Sequence, residues 1–191
     1  MQKSILIAII ALAALPQAAF GADRPARLDP DHSSATFTVR HLLLTKVSGT
    51  IAIKDTTIVF GEGNALKEAD ATLDLATIDT HQDQRDGDLR SARWFDVATY
   101  PLLTFKSTKI EPGAAGAFHI TGDLTFHGVT KPVSFDAAYL GTIKDGRGRT
   151  HLGYSATFTI DRTAWNLGPT FPPTIVSNDV TIDLEIDAIE G

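Results

Sequence analysis

Apolar and polar residues alternate along most of this chain, and the alternation is most regular between residues 179 and 188. Every second position there is aliphatic, and the positions between carry Asp, Glu or Thr. Because successive side chains of a strand point to opposite faces, this period of two predicts a strand with one buried and one solvated face. A sheet that keeps one face in water is typical of antiparallel pairing.

The same period recurs often enough to predict eight or nine strands, at residues 36–41, 47–54, 57–60, 70–75, 102–110, 118–126, 133–139, 154–160 and 179–188. Turn-forming residues separate these segments, and the Asp145-Gly146 pair is a strong hairpin signal. Many short strands at regular spacing indicate a sandwich or a barrel. No second boundary interrupts the pattern, so we expect one all-β domain over residues 22–191.

One polar stretch, residues 80–96, lacks the alternation and is rich in residues that helices tolerate. Thr80 or Asp83 could cap a short helix there, and Leu89, Trp94 and Phe95 would give it an apolar side. We therefore expect a short helical crossover near residues 80–96, lying across one end of the sheet. A proline-rich loop at 166–173 carries two further apolar side chains.

The first 21 residues have the order of a secretory signal peptide. A lysine near the start precedes an apolar run from Ile5 to Leu15, and Ala19 and Gly21 supply the small side chains that a signal peptidase requires. Eleven apolar residues are too few for a membrane span, which needs about 20, although a retained anchor helix is the alternative. We expect export, with cleavage near Gly21.

Composition excludes several classes of function. The formal net charge is −6, which argues against nucleic-acid and peripheral membrane binding. The chain has no cysteine and no nucleophile-elbow or zinc-protease motif. His119 and His127 share a face, but they lie ~26 Å apart along an extended strand and cannot share a metal ion. The sequence predicts no catalytic residues, no metal site and no enzyme.

The apolar faces could point into a barrel or outwards into lipid, as in an outer-membrane barrel. Aromatic residues make up only 8% of the chain and do not cluster at strand ends, and the polar faces carry too many charges for a narrow lumen. The apolar faces therefore point inwards. Small inward residues leave open whether the interior is hollow or merely tapers, as in a filled barrel; they are Gly49, Ala71, Gly122, Ala137 and Ala156.

Several ordered motifs resemble those of the YceI-like family. Residues 29–33 with Phe37 and His41 are similar to the opening of that family. Its most diagnostic block resembles residues 78–80, 84–91, 94–97, 100–101 and 105–108, and a second block resembles residues 122–133. The resemblance extends from about Ala26 to Glu190, nearly the whole chain after the expected cleavage site.

The resemblance implies a periplasmic, eight-stranded antiparallel lipocalin-like β-barrel whose cavity holds a polyisoprenoid or similar long-chain amphiphile, without a cofactor. The candidate ligand-binding residues are Phe37, Val39, His41, Arg85, Arg90, Trp94, Phe95, Phe105, Phe126, Phe135, Tyr154 and Phe158. His41 could bond a head group or be a satisfied core histidine. Arg85 and Arg90 could bind phosphate, or form ion pairs that hold the crossover on the barrel.

Two other functions fit the sequence. A stress-related periplasmic interaction protein would have a filled barrel, no tight ligand and a working outer surface. An enzyme would use His41 with a carboxylate, although no substrate suggests itself. We expect no stable membrane insertion, and a homodimer is compatible with the sequence.

Overall fold

The computed structural model describes residues 22–190, with only the backbone of Ala115. The predicted signal peptide, residues 1–21, lies outside the described residues. Within them the chain forms one α-helix, α1 (Asp83–Arg90), and nine strands: β1 (Arg24–Leu28), β2 (Ser34–His41), β3 (Thr45–Phe60), β4 (Leu66–Asp79), β5 (Leu102–Pro112), β6 (Phe118–Phe126), β7 (Val129–Lys144), β8 (Thr150–Asp161) and β9 (Asp179–Glu190). The short strand predicted at 57–60 is the end of β3.

The strands close into an antiparallel barrel of eight positions, as predicted, because β1 and β2 share one position. Both pair with β3 on one side and with β9 on the other, while β3 also pairs with β4. Leu28 lies opposite Ala188 and Ser34 lies opposite Glu185. The chain therefore advances six residues from β1 to β2 while β9 advances only three, and the position that β1 and β2 share contains extra residues. The extra residues are held to Asp187, whose carbonyl oxygen accepts from the Asp29 amide at 2.8 Å.

The connections divide the barrel into two ends. The mouth end carries the β2–β3 turn (42–44), the crossover (80–101), the β6–β7 turn (127–128) and the β8–β9 loop (162–178). The far end carries the β3–β4, β5–β6 and β7–β8 connections and both ends of the described chain. There Ala26 of β1 pairs with Glu190 of β9.

The core is split between the same two ends. The far-end cluster is closely packed and consists of Ile58, Phe60, Leu66, Ile120, Ala137, Leu152, Tyr154, Ala156 and Ala188. The mouth-end cluster joins the barrel to the crossover and the β8–β9 loop, and consists of Ile51, Leu75, Ile78, Trp94, Phe95, Leu124, Phe126, Ile160, Trp165 and Leu167. Phe105 packs against both clusters, so it marks the boundary between them.

The crossover contains the predicted short helix, but its N-cap differs from the prediction. The Gln82 side chain, and not Thr80 or Asp83, caps α1 by accepting from the Arg85 amide at 2.5 Å. Thr80 instead donates both its amide and its hydroxyl to the buried carboxylate of Asp86, at 3.0 and 2.5 Å. These bonds fix the point where the chain leaves β4. Within residues 22–190 no helix is both long and apolar enough to cross a membrane.

Candidate ligand cavity

A cavity of about 430 Å³ lies inside the barrel, between the crossover and the far-end cluster. This volume falls within the range of small-molecule sites, which is roughly 300–1,000 Å³. Its lining is predominantly aliphatic and aromatic, and it comes from β2 to β9 together with the crossover and the β8–β9 loop. The mouth-side parts of the inward faces predicted from the alternation are therefore the walls of this cavity.

An aromatic group forms one side of the cavity. Phe135 stacks on Phe158 with ring centroids 4.4 Å apart, and the ring of Phe105 lies 5.5 Å from that of Phe135. All three side chains point inwards and yet remain only half-buried. Since closely packed inward side chains lose almost all their exposure, the residual exposed area of these rings faces the cavity.

The small inward residues turn out to have different roles. A Cβ atom on Gly122 would lie 2.4 Å from the Phe105 ring, and one on Gly49 would lie 2.7 Å from the Phe37 ring. Rings therefore fill the space above both glycines. Ala137 and Ala156 belong to the far-end cluster, whereas Ala71 lines the cavity. The barrel is thus filled at the far end and hollow towards the mouth.

The ionisable residues of the lining all lie at the mouth end, and they are His41, Arg85, Asp88 and Arg162. Arg85 donates through Nε to the Thr80 hydroxyl at 2.7 Å and through Nη2 to the Thr80 carbonyl oxygen at 2.8 Å. Within the described part of the chain, its Nη1 has no protein acceptor. The half-buried guanidinium of Arg85 therefore keeps hydrogen-bond donors free beside the cavity.

Arg162 is the most buried charged residue of the site, with 2% of its surface exposed. Its guanidinium makes six hydrogen bonds, five of them to backbone carbonyl oxygens of the β8–β9 loop at residues 167, 168, 171, 176 and 177. The sixth acceptor is the Asn178 side chain, at 3.2 Å. Burial lowers the pKa of Arg162, and the charge of Asp161 opposes that shift. Arg162 therefore organises the loop through carbonyl dipoles.

Trp94 links this loop to the crossover above the cavity. Its ring stacks on Phe171 with centroids 4.7 Å apart, and both residues line the cavity together with Leu167. These three side chains form a roof over most of the mouth end. The exposed residues of the described lining are His41 and Ile175, which lie beside the β2–β3 turn. The cavity therefore opens to solvent on that side.

Ten of the twelve candidate residues line the cavity, and Arg90 and Tyr154 do not. Arg90 donates from Nη1 to the carbonyl oxygens of Ala76 and Ile78, both at 3.4 Å, and so holds α1 on β4. Tyr154 belongs to the far-end cluster and stacks on Phe60. The contacts of the other ten with a ligand stay a prediction.

His41 occupies the predicted inward side of β2, but it is exposed at the rim and is not a buried core histidine. Sequence reasoning also missed the role of Arg162, because five of its acceptors are carbonyl groups whose convergence depends on the loop conformation. Within the described residues neither Arg85 nor Arg90 forms the ion pair that the sequence offered as an alternative to phosphate binding. In the crossover Arg93 pairs with Asp88 instead.

A second cluster that spacing did not predict lies on the outer surface near the far end. The ring of His151 lies between two carboxylate acceptors, with Nδ1 2.8 Å from Asp187 and Nε2 3.4 Å from Asp145. Asp29 brings a third carboxylate to the same place. Asp29 lies between β1 and β2, Asp145 in the β7–β8 hairpin, His151 on β8 and Asp187 on β9. These residues are distant in sequence, and closure of the barrel brings them together.

Comparison with known proteins agrees with this architecture. Protein YceI of Escherichia coli is 32% identical over 187 residues, which are 97% of each chain. The crystal structure of the Campylobacter jejuni YCEI protein matches with a TM-score of 0.72 and 28% identity, over 80% of this chain and 90% of that one. A polyisoprenoid binding domain from Saccharophagus degradans matches with a TM-score of 0.64 and 17% identity, over 88% and 99%.

The family model of the YceI-like domain matches residues 27–188, which include all the strands that wall the cavity. That range begins within β1 and ends within β9, so it covers every position of the closed barrel. With this match and the identity to the Escherichia coli protein over almost its whole length, the chain belongs to the YceI-like family.

Proposed function

We propose that the protein is a periplasmic carrier that holds a polyisoprenoid or similar long-chain amphiphile in its barrel, and that it is a binding protein and not an enzyme. The observation that carries the proposal is the polarity of the cavity. Its walls are apolar along the barrel, and its ionisable side chains are confined to the mouth end. An amphiphile has the same distribution, with an apolar tail and one polar head.

Tail burial would supply most of the affinity. Burial of a CH₂ group gains about 0.8 kcal/mol, so a chain of many carbons binds through area alone. The head group would then set the direction in which the ligand lies. Arg85, with free donors at Nη1, and His41, exposed at the rim, are the groups that would contact the head at the mouth.

Two further observations support parts of the proposal. The Saccharophagus degradans domain with the same fold is described as polyisoprenoid binding, which makes polyisoprenoid chains the first ligands to test. The order of residues 1–21 predicts export through a signal peptide, which supports the periplasmic location.

The test is native mass spectrometry of the protein purified without detergent from its own host, followed by organic extraction and identification of the extract. We expect a bound amphiphile that leaves on denaturation, and uptake of an added polyisoprenoid by the stripped protein. Protein that carries no amphiphile and takes up none would contradict the carrier function. That outcome would favour an interaction protein that works through its outer surface.

A further inference from the structure

The turn between β2 and β3 exposes three consecutive leucines. Leu42, Leu43 and Leu44, which we call the leucine turn, are 46%, 58% and 76% exposed. Single exposed apolar residues are ordinary on protein surfaces. Three together at the tip of a hairpin form a contiguous apolar projection, and such projections mark interaction sites.

The backbone of the leucine turn is also unfavourable for leucine. Leu42 and Leu43 have φ values of +52° and +60°, and the Leu44 amide donates to the His41 carbonyl oxygen at 3.0 Å across them. Hairpin turns whose two central residues have positive φ strongly favour Asn and Gly there, because a larger side chain strains this conformation. Leu42 and Leu43 therefore occupy backbone conformations in which leucine is disfavoured, so their presence is not explained by the stability of the turn.

Charge near the turn has the opposite sign to that of the whole protein. Arg40 and Lys46 lie directly opposite each other on the outer face, and both are exposed. Like charges in this position disfavour strand pairing. Neither forms an ion pair within residues 22–190, and no Asp or Glu occurs between Asp31 and Asp55 although the whole chain carries a charge of −6. The hairpin is a basic region on an acidic protein.

The leucine turn is continuous with the opening of the cavity. The Leu42 amide donates to the Ile175 carbonyl oxygen at 3.0 Å, and His41 forms a bridge with Val176. Ile175 and His41 are the exposed lining residues of the described cavity. The leucine turn thus adjoins the opening of the cavity, where Ile175 and Val176 are its apolar neighbours on the rim.

We propose that the leucine turn docks the mouth of the barrel on a phospholipid surface that carries anionic head groups. The three leucines enter the acyl boundary, and Arg40 and Lys46 contact the head groups. Apolar side chains flanked by cations are the usual arrangement of interfacial anchors. The net charge of the chain argued against membrane binding, but that charge is an average which the basic hairpin does not share.

Docking would give the ligand of the proposed carrier a route between the bilayer and the cavity. This role of docking rests on the proposed carrier function. An amphiphile that leaves a bilayer would pass along apolar side chains and not through water. The docking itself needs no ligand, because the leucine turn and the two cations are present on the surface of the free protein. It can therefore be measured separately from ligand binding.

The experiment is flotation with vesicles of phosphatidylcholine, with and without phosphatidylglycerol. The main variant combines Leu42→Asn with Leu43→Gly, which suits the positive φ values and so preserves the fold. We expect the wild-type protein to float with anionic vesicles, less so at high salt, and the variant to lose at least about tenfold in partitioning. The melting temperature of the variant should be unchanged or higher.

A matched control replaces exposed apolar residues elsewhere. Leu140 and Ile143 are 62% and 71% exposed on β7, outside the leucine turn, and the double variant Leu140→Ser with Ile143→Ser should float like the wild type. A second variant, Arg40→Gln with Lys46→Gln, should lose the preference for phosphatidylglycerol. Equal losses in the control and the main variant would overturn the proposal, as would a wild-type protein that floats with neither vesicle.

Two further outcomes are distinguishable. If the main variant changes the molar mass in solution while the wild type binds no vesicle, the leucine turn is an interface between copies of the chain and the proposal is wrong. Uptake of detergent-dispersed polyisoprenoid, measured by native mass spectrometry, should be the same for the main variant and the wild type. A protein that docks but takes up no ligand would refute the carrier function and leave docking standing.

Discussion

The guanidinium carbon of Arg162 lies 5.5 Å from the centroid of the Trp94 ring, which places a buried cation on an indole between the β8–β9 loop and the crossover. Gly168 contacts the same ring from the loop, with φ of +56° and a hypothetical Cβ atom only 2.4 Å from it. The roof of the cavity therefore depends on a cation, an indole and a glycine from two separate segments.

Replacement of Arg162 by Lys should destabilise the protein by about 3 kcal/mol or more. A lysine ammonium has three donors, so it cannot serve the five carbonyl oxygens and the Asn178 side chain that the guanidinium bonds, and buried acceptors left unpaired cost about 1–3 kcal/mol each. Urea denaturation measures the change. Arg147→Lys, in the exposed β7–β8 hairpin, is the control, and equal losses in both variants would contradict the role of Arg162.

Ala71 and Ala156 give a matched pair that separates the hollow part of the barrel from the filled part. Ala71→Leu should occupy part of the cavity and lower ligand uptake while the free energy of unfolding stays near that of the wild type. Ala156→Leu should overpack the far-end cluster and cost about 1–3 kcal/mol. Native mass spectrometry and urea denaturation measure the two effects. Equal destabilisation by both leucines would show that the mouth-side interior is filled.

Tyr154 carries a hydroxyl that is buried without a hydrogen-bond partner in the described residues, and this burial raises the pKa of the phenol. Tyr154→Phe removes a polar group that gains nothing from being buried, so we expect stabilisation of about 1 kcal/mol. Tyr139→Phe is the control, since the Tyr139 hydroxyl bonds Asn64 and Thr142 and its loss should not stabilise. A less stable Tyr154→Phe protein would show that the hydroxyl has a partner in solution.

The His151 cluster should make stability depend on pH. The hydrogen bond that Asp187 accepts from the ring raises the pKa of His151 most. Burial opposes this shift, and the bond accepted by Asp145 and the charges of both carboxylates add to it. A raised folded-state pKa stabilises fully below the unfolded value, about 6.5, and this contribution is lost as the pH rises through the folded-state pKa. His151→Gln should therefore lower the urea midpoint more at pH 5.5 than at pH 9.

The control for this pH dependence is His119→Gln, whose ring pairs with Asp136 on an exposed face. It should change the urea midpoint little at either pH, since exposed ion pairs contribute little. A His151→Gln difference that is as large at pH 9 as at pH 5.5 would mean that the ring acts by packing and not by its charge.

The alternation of residues predicted the strands and the inward faces because both follow from local geometry. Phe135 and Phe158 point inwards as their positions in the pattern required, and the irregular residues 80–96 contain the predicted helix. The β1–β2 interruption was harder to foresee. The alternation did not predict β1, and it does not show that two segments separated by residues 29–33 occupy the same barrel position.

The interior could not be decided from the pattern, because the space that a small residue leaves depends on its neighbours across the barrel. Gly122 and Ala71 were both compatible with a hollow or a tapering interior. The Phe105 ring fills the space above Gly122, whereas Ala71 lines the cavity. The role of Arg162 also depends on contacts that the sequence pattern does not show. Its acceptors are backbone atoms, and nothing in the residue types of a loop shows that its carbonyl groups converge.

The pairing of Ala26 with Glu190 places both ends of the described chain at the end opposite the opening. A linker joined at the C-terminus, or ahead of β1, would therefore hold the molecule with its opening pointing away from the support. Protein immobilised in this way on a sensor surface should present one uniform orientation to vesicles in the flow. Attachment at random lysines would also engage Lys46 and block part of the population.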